Sequence, residues 1–304
     1  MFIIKNKKIF IGISIGLVIF AIAMLFILPP RVGIDFKGGA LTEVIYQATR
    51  PTQVELEAVL KNTDLGPVLL QPTGELGYIL KTRDLNETEH NLLLETVSLN
   101  NSNQPEEKSF NSIGPSVGKE LTRKAIIAII LVALGIILFI AFAFRKVSKP
   151  VSSWKYGMMA IISLLHDVII PIGIFTIFSR YYGAEIDTLF VVAILTILGL
   201  SVSDTIVIFD RIRENLRNQT VVARANFNEI VGKSLEQSYV RSICTSLTVI
   251  LVLLSLFFFG PVSTKYFSLM LTFGMFFGTY SSIFLASPLL VLMNDWQQRK
   301  KNKK

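Results

Sequence analysis

The chain has 304 residues, 51% of them hydrophobic and only 17% charged, and Lys plus Arg exceed Asp plus Glu by eight. A mean hydropathy of +0.55 excludes an ordinary soluble globular protein and makes the bilayer the expected solvent. The basic excess flanks apolar runs and so reads as membrane topology, not as a nucleic-acid footprint; the single Cys244 excludes an intrachain disulfide, and two histidines offer no metal-ligand spacing.

Taken in chain order, the first apolar run, 9–28, is about 20 residues long, the length of a bilayer crossing, and lacks a small-x-small cleavage site, so it is expected to be an uncleaved first span. Residues 29–122 are polar enough to form a small water-soluble domain. Strand-like alternation at 40–47, a helix over 51–61, strands at 67–71 and 76–82, a helix over 86–99 and a strand at 108–113 give the order β-α-β-β-α-β, the ferredoxin-like α+β pattern. Residues 123–293 hold five more spans, at 125–144, 156–178, 188–209, 243–260 and 266–293, and residues 294–304 form a basic tail. The expected fold class is therefore a polytopic α-helical membrane protein with six spans and an extracytoplasmic domain between the first two.

Orientation follows from the basic side chains. Lys5, Lys7 and Lys8 precede the first span, and Arg145, Lys146, Lys149 and Lys155 lie between the second and third. Arg211, Arg213, Arg217, Arg224, Lys233 and Arg241 lie between the fourth and fifth, and Arg299, Lys300, Lys301, Lys303 and Lys304 close the chain. The opposite short loops hold Arg180 and Lys265, so both termini are expected in the cytoplasm.

Ionisable groups at lipid depth cost about 2.5 to 3.5 kcal/mol at a helix centre, so each asks for a reason. His166 and Asp167 fall mid-way along the third span and Asp204 within the fourth, where Ser201 at i−3 offers a neighbouring hydroxyl. A carboxyl there either exchanges a proton with a moving bundle or only hydrogen-bonds a neighbouring helix; residue type and depth leave both open. Arg241 leads into the fifth span and either reaches inward to an acid or sits at the interface as a topological charge. Asp210 and Arg213 read as a solvated helix end. The pairs Gly12/Gly16 and Gly274/Gly278, the second continued by Ser282 and Ala286, have the spacing of helix-packing stripes. The glycines of Gly33-Ile34-Asp35-Phe36-Lys37-Gly38-Gly39 suit a turn but lack the strand-then-helix setting of a phosphate loop. No Walker loop, nucleophile elbow or HExxH is present, which leaves an ATPase or an intramembrane metalloprotease without its residues. No cofactor or metal is expected.

These segments together resemble the SecF family nearly from end to end. The stretch Gly33 to Gly39 is similar to its D-F-x-G-G signature, and Ile113-Gly114-Pro115-Ser116-Val117-Gly118-Lys119-Glu120-Leu121 to the G-P-x-V-G-x-E-L lead into its second span. Leu165-His166-Asp167 resembles its third-span H-D pair. The block from Leu195 through Ser203-Asp204-Thr205 to Asn215 resembles its fourth span. Arg241-Ser242-Ile243-Cys244-Thr245-Ser246-Leu247-Thr248 resembles the start of its fifth span, and Gly278-Thr279-Tyr280-Ser281-Ser282 to Pro288 its sixth. Ser203 stands where the family often has Asn, and Ser242 where it often has Thr.

The resemblance implies a half-transporter of the RND superfamily in a prokaryotic cytoplasmic membrane. It would work with SecD and the SecYEG translocon, with YajC and YidC as further partners, on a translocating preprotein in a lipid environment. It also implies proton-driven transport without covalent catalysis, Asp204 as relay carboxylate and Arg241 as its cationic partner. Asp167, His166 and Ser201 become relay or polar-support residues, and Asp35, Gly38 and Gly39 a structural motif. The competing expectation is an RND-like exporter half that moves a lipid or a small molecule by the same mechanics.

Overall fold

The computed structural model describes residues 2–47, 49–99, 104–143, 153–217 and 226–301. Phe144, the predicted end of the second span, and Arg145, Lys146, Lys149, Arg224, Lys303 and Lys304 of the basic segments lie outside the described residues. The chain divides into two compact units, Met1–Arg31 with Ala128–Lys304, and Val32–Ile127.

Among the described residues, six helices are long and apolar enough to cross a membrane. They are α1 (Lys7–Ile27), α4 (Pro115–Ala143), α5 (Ser153–Tyr182), α6 (Thr188–Arg217), α7 (Phe227–Phe259) and a last span built from α8 (Lys265–Ser281), a π-helical segment (Ser282–Ala286) and α9 (Ser287–Lys301). Most run past the apolar windows that reveal them, because a helix needs apolar side chains only where lipid surrounds it and otherwise needs only its own hydrogen bonds. α7 is the extreme case. Its 33 residues rise about 50 Å at 1.5 Å each, against a hydrocarbon core of about 30 Å. Its extra length begins at the Asn226–Glu229 capping box and buries Phe227, Ile230, Val231 and Leu235 in the same core as Phe209 and Ile212 of α6.

Small residues decide where helices approach. A Cβ added at Gly173 of α5 would fall 2.5 Å from Ala21 Cα of α1, and one at Gly278 of α8 would fall 3.3 Å from Ser201 Cβ of α6. The Gly274/Gly278 stripe thus packs against α6 as its spacing predicts. Gly12 and Gly16 do not behave alike with it: a Cβ at either would meet nothing within 4 Å. α1 meets α5 instead through Ala21, whose methyl is small enough for Gly173 to come close.

The second unit contains β1 (Gly39–Tyr46), α2 (Gln53–Leu60), β2 (Leu69–Thr73), β3 (Gly77–Thr82), α3 (Glu87–Val97) and β4 (Pro105–Ile113), in the order read from the sequence. The sheet order is β2-β3-β1-β4, every neighbour antiparallel, with Ala40 opposite Thr82 and Gly39 opposite Ile113. Alternate β1 side chains are buried, and Val44, Tyr46, Leu56, Leu80 and Leu93 form the core. The helices start one or two residues later than predicted, since Thr52 and Asn86 act as N-caps in capping boxes with Glu55 and Glu89. Tyr46 donates its hydroxyl to Val97 O at 2.9 Å, and burial pushes its phenol up to about 12.

A fragment covering residues 32–122 is expected to melt cooperatively in urea, and Leu93→Ala to lower its stability by about 2–5 kcal/mol through the cavity it leaves. A pH effect should accompany it. The Arg83 guanidinium and then the Asn86 backbone N–H hold the Glu89 carboxyl down at about 2 from its usual 4.5. That contribution is complete above the unfolded value and is lost as pH falls through the window between 4.5 and 2. Glu89→Gln should flatten the acid limb of the melt. A fragment with no cooperative transition would remove the case for an independent domain.

Candidate functional site

Three helices converge on Asp167. It lies on α5, 0% exposed, with its Oδ1 2.8 Å from His166 Nδ1. Its Oδ2 accepts the hydroxyl of Ser201 on α6, and that of Ser281 on α8 at 2.6 Å. Ser163, one turn earlier on α5, donates to Ser281 Oγ at 2.9 Å, and a second hydroxyl pair, Thr205 and Ser282, joins α6 to α8 at 2.9 Å. Asp167 is thus a saturated acceptor: both oxygens are engaged, and its surroundings are buried polar groups that replace water.

Ser201 does not serve Asp204, contrary to the i, i+3 expectation. Three residues of α-helix turn through about 300°, which leaves the two side chains about 60° apart. That angle is enough here for Ser201 to face α5 while Asp204 faces α7 and α8.

The setting of Asp204 is different in kind. It is half-buried and reached by two hydroxyls, Thr279 Oγ1 at 3.2 Å and Ser246 Oγ at 3.5 Å, both on its Oδ2. Each hydroxyl has one proton and a better-placed competitor. Ser246 also approaches Ser242 O at 2.7 Å and Thr279 approaches Met275 O at 3.0 Å, and the two hydroxyls contact each other. Rotation of either hydroxyl toward its own helix withdraws a donor from the carboxyl. Among the described residues no Lys or Arg nitrogen comes within 4.0 Å of Asp204. Arg241 lies exposed on α7, two residues before the predicted start of the span, and makes no ion pair with Asp204 at that distance.

Beyond the lipid-depth segment, α6 and α7 are joined by polar contacts. Asn215 donates to Ser234 Oγ at 2.8 Å and to Gln237 Oε1 at 2.9 Å, and Arg211 donates to Gln237 at 2.8 Å. Asp210 and Arg213 are 3.6 Å apart and solvated, the helix end expected of them.

The glycine motif at the start of the second unit does more than turn the chain. Asp35 sits on a one-turn helix, Ile34–Lys37, capped by Gly38 at φ 80°, and Gly39 follows at φ 146°. A Cβ at Gly38 would fall 2.9 Å from Pro115 Cα, and one at Gly118 would fall 3.0 Å from Phe36 O. The two motifs that bracket the domain in sequence therefore cross each other backbone to backbone.

Sequence reasoning found both carboxyls but missed Ser163, Ser281, Thr279 and Ser246 as their surroundings. The signal was present as hydroxyls within otherwise apolar runs, where small residues read equally well as packing.

Comparison with known proteins gives one consistent family. Residues 94–296 match the family described as protein export membrane protein SecD/SecF, C-terminal. The chain is 40% identical to the protein translocase subunit SecF of Thermobaculum terrenum, over 98% of this chain and 94% of that one. It is 32% identical to the protein translocase subunit SecDF of Bacillus subtilis, over 94% of this chain and 37% of that one. The crystal structure of SecDF from Thermus thermophilus superimposes with a TM-score of 0.79 at 28% identity, covering 97% of this chain and 38% of the solved one.

Proposed function

The chain belongs to the SecD/SecF family of protein export membrane proteins, and on that premise we propose that it is a SecF-type accessory subunit of the Sec translocase that couples the proton gradient to polypeptide export. It works with SecD, beside the SecYEG channel with YajC and YidC, and makes or breaks no covalent bond. Pairing with SecD is supported by the SecDF relatives, whose chains are more than twice as long as the part this chain matches.

One observation carries the coupling role: of two carboxyls at lipid depth, Asp167 is saturated and Asp204 is not. A carboxyl whose donors, among the described residues, are hydroxyls with alternative acceptors can take up and release a proton without leaving other groups stranded. Arg241, on the helix that supplies Ser246, is the cation whose approach or retreat accompanies that exchange. The supply suffices, since each charge moved through 100 mV releases about 2.3 kcal/mol, comparable to the cost of placing such a group in the membrane.

Affinity purification from membranes in mild detergent tests the reading. SecD and SecYEG among the recovered proteins are the expected result, whereas a drug-efflux adaptor would favour the exporter half. Both termini are assigned to the cytoplasm and the outer domain to the opposite side. In a Cys244→Ser background, an impermeant maleimide added to intact cells should label Glu75→Cys in the exposed β2–β3 turn and spare Gln298→Cys. Labelling of Gln298→Cys alone, or of both, would overturn the assigned topology.

A further inference from the structure

Among the described residues, two clefts of similar size and opposite chemistry lie beside the start of α1 and the last span. The first, about 610 Å³, has an apolar floor from Met159 and Ile162 of α5 and Leu289, Leu292 and Met293 of α9. Its rim is charged: Lys7, Lys8, Asp295 and Arg299 line it, with Trp296 between them. Lys7 is taken by Asp295 at 2.5 Å. Among the described residues no carboxylate oxygen comes within 4.0 Å of Lys8 or Arg299, and both side chains are exposed. The second cleft, about 590 Å³, is lined by Phe2, Phe10, Leu235, Tyr239 and Phe284 among others, and its one charged lining residue is the acidic Glu236.

From this asymmetry we propose that the α5–α9 cleft is a binding site for an anionic phospholipid, with the phosphate between Lys8 and Arg299 and an acyl chain on the Met159–Met293 floor. An occupant must offer a negative head to two uncompensated cations and a hydrocarbon tail to the surface beneath them. Long basic side chains at a span's end lay their stems along apolar surface and lift their charge to headgroup level. Trp296 lines the same rim, where an indole would suit the headgroup level, and Lys300 lies 4.0 Å above its ring. The Lys7–Asp295 pair fixes the start of α1 against α9 and so holds the rim in shape.

Trp296 is a reporter inside the cleft. The chain has two tryptophans, so Trp154→Phe leaves it as the only one. The full chain, reconstituted at low ionic strength in phosphatidylcholine vesicles, should show stronger quenching by brominated phosphatidylglycerol than by brominated phosphatidylcholine. Each cation near the headgroups contributes about fivefold, so the expected preference is about thirtyfold. In the Lys8→Gln, Arg299→Gln double variant it should fall to near one with the melting curve unchanged. Arg217→Gln, a cation at the end of α6 outside the cleft, should leave it intact. Equal quenching by the two lipids in the parent, an undiminished preference in the double variant, or an equal fall in Arg217→Gln would each overturn the site.

Discussion

Asp204→Asn is expected to abolish proton-gradient stimulation of preprotein translocation while leaving abundance and SecD co-purification unchanged. The amide keeps the size of the carboxyl and can still accept from Thr279, so little packing is lost; hydrogen bonds within membrane bundles average about 0.6 kcal/mol. What it loses is the ability to bind and release a proton. A relay acts in series, so removing its one exchanging group removes the coupled movement altogether. Arg241→Met should do the same. Its guanidinium is exposed and unpaired with Asp204 at 4.0 Å, so its removal strands no buried partner and should not unfold the bundle. Inside-out vesicles energised to a fixed gradient, with translocation scored by protease protection, provide the measurement. Full stimulation in Asp204→Asn vesicles would end the relay assignment and leave Asp204 a packing residue.

Asp167→Ala should fail differently, by loss of the folded protein. The substitution deprives His166, Ser201 and Ser281 of a common acceptor at a site with no water access. Three membrane hydrogen bonds at about 0.6 kcal/mol each set a floor near 2 kcal/mol. Breaking a buried pair and stranding the partner sets a ceiling of about 5 kcal/mol. Thermal unfolding of the detergent-solubilised protein should fall markedly, and export should fall in proportion to abundance. Asp167→Asn, which keeps one acceptor oxygen, should recover part of the loss. A fully abundant, thermally unchanged Asp167→Ala protein that is inactive would instead make Asp167 a member of the relay.

The six spans were legible because lipid demands uninterrupted apolar side chains, and the βαββαβ order because alternation and capping residues such as Thr52 and Asn86 are local signals. Asp204 and Asp167 stood out for the same reason, as charges where lipid excludes them. Their partners did not. Whether Ser201 serves Asp204 or Asp167 depends on a helix rotation of about 60° and on which neighbour lies opposite, a relation between helices that no single run of residues encodes. The π-helical segment Ser282–Ala286 is equally silent, since one extra residue in a turn leaves composition unchanged. The crossing of Gly38 with Pro115 and of Gly118 with Phe36 joins segments far apart in sequence; the glycines signalled freedom but not what they would admit. The reach of α7 beyond the bilayer was hidden because its first half is polar overall and buries only a narrow stripe.

That reach has a mechanical meaning. Ser246, beside Asp204, lies about 28 Å along the helix axis from Phe227, at 1.5 Å per residue. A rigid rod pivoted at Ser246 would carry a tilt of about 5° into a swing of about 2.5 Å at that far tip. The Asn215–Ser234 and Gln237 contacts tie that far arm to the end of α6, so a tilt of α7 about Ser246 would carry the two helix ends together. A few degrees of tilt beside one side chain would thus appear as an ångström-scale displacement at the polar end of the helix.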